Sequence, residues 1–551
     1  MTRRRYRRSV RRSLARRRTI ASVDRRTFFR TAARWSFVLP GASALAAACT
    51  AATSSSPSLG SVTKSSPSAS LTTSAARTNG NAWHRLAASL DGQLIRPGSP
   101  GYPTARLGYD PLFDDVRPRA IARVASTRDV ARTIAFARDH GLRFTARSGG
   151  HSYAGYSVSN GIVIDVSALD RVTADPAAKR ATIGSGASLM QVANGLAPDG
   201  LVVPGGTCAT VGIAGLTLGG GQGVTGRRFG LTCDSLEAAT VVLADGTVVR
   251  CDANRHDDLF WGLRGGGGGN LGVVTSFTFA AHPLTHLTIC SLSWRWSQAA
   301  RVIRAWSDWA PSAPHDLWSS LRLRWIPGSG PQVSMIGTWS GSPSGLTAVL
   351  DDLASSVPPV SRSTSTLPYL DVAKLYAGCA GQPPDECSLQ IHGGTLPRQA
   401  SLAKSDFFDH RISAADVDAM LGRIEARSSP ALRGSSGGVV FDSWGGRIAQ
   451  LGSRATAFPH RQARFLAQEF VTFSSVPGDA TLTANRQWLA GLWRSLRGSA
   501  SGAAYVNYID PELQGWERAY YGANLDRLVE VKHRYDPDDV FRFAQSVPTT
   551  A

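Results

Sequence analysis

The stretch PGGTCATVGIAGLTLGGGQG, residues 204–223, places Cys208 at the head of a run that holds eight glycines. A glycine removes the side chain that keeps a flat or charged ligand at a distance, so the run reads as backbone pressed against something, with a thiol placed to bond to it. Two further glycine-rich loops accompany it, RSGGHSYAGY at 147–156 and WGLRGGGGGNLGVVTSF at 261–277. Such loops present main-chain N–H groups in concave nests that hold a pyrophosphate without a lysine. Valine, isoleucine and leucine among the glycines argue against a flexible linker. Two segments match GxGxxG literally, at 221–226 and 267–272, but neither follows a clear strand. Asp245, the acid beyond the first, falls in a hairpin turn and not at a ribose-binding strand end, so a Rossmann dinucleotide fold is excluded. With no CxxC pair and no HExxH helix, no metal site is expected. Taken singly, a cysteine is usually core and a histidine such as His151 usually structural.

The elements that must carry these loops follow from periodicity. In STRDVARTIAFARDHG apolar residues recur at helical spacing after Ser126, a residue type that caps helix starts, and the pattern stops at Gly141. RFTARS then reads as a strand delivering the turn that carries His151, GIVIDVSAL as a second strand, and ATVVLADGTVVRC as a hairpin turning at Asp245 and Gly246. Beyond residue 283 the strands lengthen, ICSLSWRW, SSLRLRWI and VSMIGTWSG, with helical SQAARVIRAWSDWA and GLTAVLDDLASS between them. That texture predicts an antiparallel sheet with helices on one face, and an α+β chain overall. The tail NLDRLVEVKHRYDPDDVFRFAQSVP has helical periodicity to Tyr535 and then an extended end.

The chain has 551 residues, 42% of them hydrophobic and 18% charged, enough for two cores and without a run that suggests a membrane bundle. The net charge of +20 is concentrated: residues 1–49 hold fourteen arginines against the single acid Asp24, which leaves only +7 for the rest. Nucleic-acid binding therefore has little support. Asp24-Arg25-Arg26-Thr27-Phe28-Phe29-Arg30 resembles a twin-arginine export signal, and LAAAC before Cys49 resembles a lipobox, with Ala46 where leucine is usual. Export, with Cys49 as a lipid anchor, is the expectation for 1–49, and a Ser/Thr/Pro tether for 50–81. Disulfides are permitted outside the membrane, and Cys379 with Cys387, flanking a Pro-Pro turn, is the expected bridge.

Arg147-Ser148-Gly149-Gly150-His151-Ser152-Tyr153, then Gly206-Thr207-Cys208-Ala209-Thr210-Val211-Gly212 with Gly219-Gly220-Gly221-Gln222-Gly223, resemble the berberine bridge enzyme-like flavoproteins of the vanillyl-alcohol oxidase superfamily. The tail is similar to that family's C-terminal signature, so the resemblance runs from about residue 83 to the end. It implies a two-part FAD-binding domain of the p-cresol methylhydroxylase type over 82–285, a substrate domain over 286–499, and a segment 500–551 returning to the first. It also implies FAD bonded twice, through His151 at the 8α carbon and Cys208 at C6. Imidazole and thiolate are nucleophiles able to add to an electron-poor ring, and two bonds hold that ring open to a large substrate. Implied cofactor contacts extend through Arg147, Ser148, Gly149, Gly150, Ser152, Gly206, Thr207, Val211, Gly212, Gly215, Gly219, Gly220, Gly272, Val273, Val274 and Asn507.

An alcohol oxidised by flavin loses a hydride from carbon and a proton from oxygen, so a base must stand beside the hydroxyl. AAYVNYIDP resembles the family's tyrosine-bearing strand, which assigns the base to Tyr508, and VVFDSWGGRI the strand facing it, which assigns Asp442 as acceptor of the tyrosine's hydrogen bond. Absence of a glutamate in that strand favours sugars or similar alcohols over alkaloids, and Val211 matches the position associated with oxidases. The implied function is an exported oxidase of a small carbohydrate or alcohol with O2 as partner. A dehydrogenase or natural-product tailoring enzyme on the same scaffold, and a non-catalytic glycan-binding lipoprotein, are the alternatives. Trp294, Trp296, Trp325, Trp339 and Trp444 are candidates to stack on sugar rings, though tryptophan is more often core.

Overall fold

The computed structural model describes residues 80–550. The segment read as an export signal, Cys49 and nearly all of the expected tether lie outside the described residues. Gly80 and Asn81, read as the end of the tether, instead open the helix Gly80–Ser89, because Ala82, Trp83 and Leu86 bury themselves in the first core.

That core backs a four-stranded sheet of β1 (Gln93–Ile95), β2 (Ala120–Arg123), β3 (Phe144–Arg147) and β4 (Ile162–Asp165), in the order β1-β2-β4-β3. β2, β4 and β3 run parallel, and β1 is the antiparallel edge. β2 and β3 run parallel on either side of β4, so the chain between them must make a crossover. The helix Thr127–Asp139 supplies it, capped by the Ser126 hydroxyl accepting from the Asp129 amide at 3.2 Å and followed by Gly141 at φ +58°. β3 therefore ends at Arg147, and the chain beyond it must carry His151.

Next come β5 (Val172–Asp175), β6 (Arg180–Gly184), β7 (Leu201–Val202), β8 (Leu236–Val242), β9 (Val248–Asp252), β10 (Val273–Ala280) and β11 (His282–Pro283). β7 pairs with β11, and the other five form an antiparallel sheet ordered β5-β6-β10-β8-β9. The Cys208 run lies between β7 and β8. The third glycine loop leads into β10, where the C-terminal tail clamps it: buried Lys532 donates to the carbonyls of Asn270 (3.1 Å) and Phe541 (2.7 Å), and Asn270 accepts from the Val547 amide at 2.9 Å.

The third sheet holds β12 (His286–Trp294), β13 (Leu317–Ile326), β14 (Gly330–Trp339), β15 (Ser361–Pro368), β16 (Ser401–Phe408), β17 (Ser435–Ser443) and β18 (Phe465–Phe473), antiparallel in the order β15-β12-β14-β13-β17-β18-β16. Alternation sends Leu321, Leu323, Val439 and Phe441 to one face, where they pack with Val302, Trp306, Leu350, Met420 and Leu492 from four helices. This is the expected α+β arrangement of helices on one face of an antiparallel sheet. The tryptophans proposed as sugar platforms serve these cores: Trp294 and Trp339 are buried in the helix-covered one, Trp296 and Trp325 pack against it, and Trp444 is buried beside Phe407 and Phe458. A large ring on the apolar side of an alternating strand has more surface to bury there than at the cleft. Cys379 and Cys387 are disulfide-bonded.

One buried carboxyl is opposed only at a distance, by the charges of Lys404 and Arg497. Glu469 of β18 is fully enclosed and neither of its oxygens finds a hydrogen-bond partner among the described residues. Lys404, its register neighbour on β16, is committed to Asp510 (2.8 Å) and Glu512 (2.9 Å). Desolvation raises the Glu469 pKa, and desolvation followed by the Glu469 charge raises that of Asp406. A carboxyl whose folded pKa is raised binds its proton more readily folded than unfolded, so its stability contribution is present at low pH and lost as pH climbs above the ordinary glutamate value toward neutrality. Glu469→Gln is expected to raise stability at pH 8 by roughly 1–3 kcal/mol and to leave it little changed at pH 4, measured by urea unfolding at both values.

Candidate active site

The loop after β3 and the Cys208 run are pressed together. A Cβ on Gly149 would lie 2.2 Å from the Gly212 amide nitrogen, and one on Gly212 2.0 Å from the Ser148 hydroxyl. Neither position has room for a side chain, so these two glycines hold loop against loop. Ser148 donates to the Ser185 carbonyl (2.7 Å), and Ser152 accepts from the Tyr156 amide (3.1 Å). The junction brings the His151 Nε2 to 2.8 Å from the Thr210 hydroxyl, two residues past Cys208, with Tyr109 stacked on the imidazole at 3.9 Å. Desolvation pushes the His151 pKa down to about 3, which keeps the ring neutral; with Nε2 occupied, Nδ1 is the nitrogen left to react. Cys208 is exposed, and a thiolate there would raise Tyr109, Tyr153 and Tyr508. The surrounding protein raises its thiol above the ordinary range, with Thr207 opposing.

The remaining predicted contacts divide into those that leave room for a ligand and those already occupied. Gly215 is exposed and a Cβ there meets nothing within 4 Å, while Gly268 of the third loop approaches it from the other side. Gly206 lies between Leu189 and Gln222, and Gly220, at φ +113°, lies against Phe458. Gly219 is covered by Asn507, whose Oδ1 would be 2.1 Å from a Cβ there; Asn507 in turn donates to the Leu216 carbonyl at 2.9 Å. Arg147 turns away from the cleft: buried, it pairs with Asp165 (2.8 Å) and donates to the carbonyls of Ala105 and Leu107. A guanidinium enclosed this way is held by its carboxylate and is unavailable to a cofactor. Gly272 is packed on Val241 and Val242, and the side chains of Val273 and Val274 belong to two different cores. Val211 is partly buried and receives the Leu189 amide on its carbonyl. Open glycine backbone beside an exposed thiol and a neutral imidazole fits a planar ring bonded at two points.

Residues 504–510, read as a strand, form instead a 3₁₀ turn over Val506–Tyr508, closed by the Tyr508 amide donating to the Tyr505 carbonyl at 2.8 Å. Side-chain bonds impose the turn. The Tyr505 hydroxyl accepts from the amides of Gly221 (2.9 Å) and Gln222 (3.1 Å) and from Asn507 (3.0 Å), which commits that ring to structure and frees Tyr508. Tyr508 meets Tyr153 edge-on, ring centroids 5.9 Å apart, and Gln468 donates to the Tyr153 hydroxyl at 3.0 Å. Tyr109, Tyr153 and Gln468 were missing from the sequence-derived set. Tyr153 stands two residues after His151 in the loop motif, while nothing local distinguished Gln468.

Asp442 is buried on β17, and desolvation pushes its pKa up to about 6. Ser320 and Gln222 favour its charge without completing a hydrogen bond. The expected bond to the Tyr508 hydroxyl is not formed: Asp442 acts on Tyr508 through its charge, which adds to desolvation in raising the phenol well above 10. The two side chains sit on separate elements, a sheet strand and a turn, and their spacing is set by the packing between them. Tyr508 is a neutral phenol here, and Asp442 is the carboxylate within its electrostatic reach.

Residues 118–252 match a family model described as an FAD binding domain, and 504–548 one described as berberine and berberine like. The chain is 34% identical over 464 residues to the uncharacterized FAD-linked oxidoreductase YgaK of Bacillus subtilis, covering 83% of this chain and 97% of that protein. To the xylooligosaccharide oxidase of Thermothelomyces thermophilus it is 28% identical over 454 residues, 78% of this chain and 87% of the other. Among solved structures, the BBE-like 1 protein of Physcomitrella patens superposes with a TM-score of 0.77 at 27% identity, over 85% of this chain and 99% of that one.

Proposed function

Since this chain belongs to the berberine bridge enzyme-like FAD-linked oxidoreductases, we propose that it is an oxidase that takes a carbohydrate or related alcohol to the carbonyl, passing electrons to O2 and releasing H2O2. The reading is carried by one observation: His151 and Cys208 reach one cleft through the Thr210 contact, and Tyr508 meets that cleft through Tyr153. FAD, when bound, would supply a two-electron acceptor that oxygen can reoxidise. His151 through Nδ1 and Cys208 through Sγ are the residues that would hold it. Tyr508 takes the substrate's hydroxyl proton, and because it starts as a neutral phenol it must release its own. Asp442, largely ionised above pH 6, is the acceptor, reached across a bridging water or substrate hydroxyl.

The xylooligosaccharide oxidase among the relatives supports a sugar substrate, and Val211 supports oxygen as acceptor. The twin-arginine segment supports export after folding, with Cys49 as lipid anchor, and the Cys379–Cys387 bridge suits an oxidising compartment. A peroxide-coupled screen of mono- and oligosaccharides and aromatic alcohols tests the reading. Turnover with peroxide released in equal amount to product is expected; slow reoxidation of the reduced enzyme by air would replace the oxidase by a dehydrogenase.

A further inference from the structure

The face of the large sheet turned away from the helices is defined by register. Asp442 stands opposite Ser320, Val440 opposite both Arg322 and Gln468, and Gly438 opposite Arg324. Directly opposed residues share a face. Arg322 and Arg324 therefore lie on the wall that carries Asp442 and Gln468, while Leu321 and Leu323 between them point into the helix-covered core. Gln468 bonds to Tyr153 and Tyr153 meets Tyr508, so this wall is a wall of the candidate active cleft.

Among the described residues neither arginine has a hydrogen-bond or ion-pair partner. Arg324 is 8% exposed and Arg322 partly buried, and no described residue forms an ion pair or hydrogen bond with either guanidinium; the Arg322 Nε is enclosed and unpaired. Arg147 is matched by Asp165 and Arg461 by Asp234, and Arg227 and Arg427, enclosed without a carboxylate, still donate to carbonyl, hydroxyl or amide oxygens, which neither Arg322 nor Arg324 does among the described residues. Desolvation and the Arg322 charge push Arg324 down to about 9, and Asp442 is the one carboxylate that Arg322 feels. Beside them two more donors are orphaned, the indole N–H of Trp318, which is 5% exposed, and the Tyr376 hydroxyl, whose ring meets Trp318 edge-on at 6.4 Å. Two like charges at alternate positions of one strand, opposed only at a distance by Asp442, are costly unless an anion joins them. A surface of unsatisfied donors around a pair of guanidiniums is complementary to a carboxylate carried on a hydroxylated body.

We propose that Arg322 and Arg324 form an anion subsite that selects substrates bearing a carboxylate, so that the alcohol oxidised belongs to an acidic sugar of the uronic type. The proposal rests on the oxidase reading for the oxidised group but not for binding. Planar guanidinium geometry makes arginine at these positions more specific than lysine.

The test compares a uronic-acid disaccharide with its carboxyl methyl ester, which removes the charge and little else. Calorimetry with the flavin-loaded wild-type protein is expected to show the acid bound about 10- to 100-fold more tightly than the ester. Arg322→Gln and Arg324→Gln should each remove most of that difference, and Arg324→Lys should restore only part. Because the arginines repel each other, both Gln variants should keep or raise the melting temperature without ligand; a fall in both would mark the arginines as structural and overturn the subsite. Equal binding of acid and ester, or binding of neither, would also overturn it. Acid bound selectively but never oxidised would refute the oxidase reading and leave the subsite standing, whereas oxidation of neutral and acidic sugars alike would do the reverse.

Discussion

Tyr508→Phe is expected to lower kcat by about 100- to 10,000-fold with a much smaller change in KM, the range associated with loss of a positioned proton-transfer group. The substitution removes one oxygen and leaves the ring that meets Tyr153 and Tyr505, so the fold should be unaffected. Asp442 supplies a second signature. With a pKa pushed up to about 6, it is protonated below that value and unable to accept, so kcat/KM should rise with pH through about 6. Asp442→Asn should flatten that limb as well as lower the rate. Full turnover by Tyr508→Phe would place the base elsewhere, and an unchanged acid limb in Asp442→Asn would separate the carboxylate from the proton path.

The second large effect concerns attachment. In the wild-type protein all flavin colour should remain with the pellet after acid precipitation. His151→Ala and Cys208→Ala singly should keep it there through the remaining bond, and the double variant should release it entirely to the supernatant. Mass spectrometry of the digested wild type should show both the His151 and the Cys208 peptide carrying the added mass. The loops themselves should survive the double change, because the close packing of Gly149, Gly212 and Ser148 remains when the His151–Thr210 hydrogen bond is lost. Colour lost from either single variant would reduce the attachment to one bond.

Much of the first domain was legible because its signals are local. Ser126 and Gly141 bracket a helix by their own backbone chemistry, the strand ending at Arg147 follows it directly, and the tail's periodicity ends at Tyr535 as the helix Leu525–Tyr535 does. Alternation in SSLRLRWI already separated Leu321 and Leu323 from Arg322 and Arg324 by face. It carried no information about what each face would meet: Trp294, Trp296, Trp325 and Trp339, candidate platforms for which core was the commoner outcome, belong to the core or pack against it once four helices cover their side of the sheet.

Residue type and short spacing were enough to name candidate reactive groups, the glycines that allow close approach, the α+β class and the cysteine pair that closes a bridge. Long-range packing was needed to show that Arg147 is spent on Asp165, that Tyr505 anchors a turn by its hydroxyl, that Asp442 acts on Tyr508 by charge, and that Arg322 and Arg324 share a sheet face with Asp442 and Gln468. Those outcomes depend on contacts between residues tens to hundreds of positions apart, and on burial, which sets the protonation of a carboxyl or phenol and which no local pattern encodes.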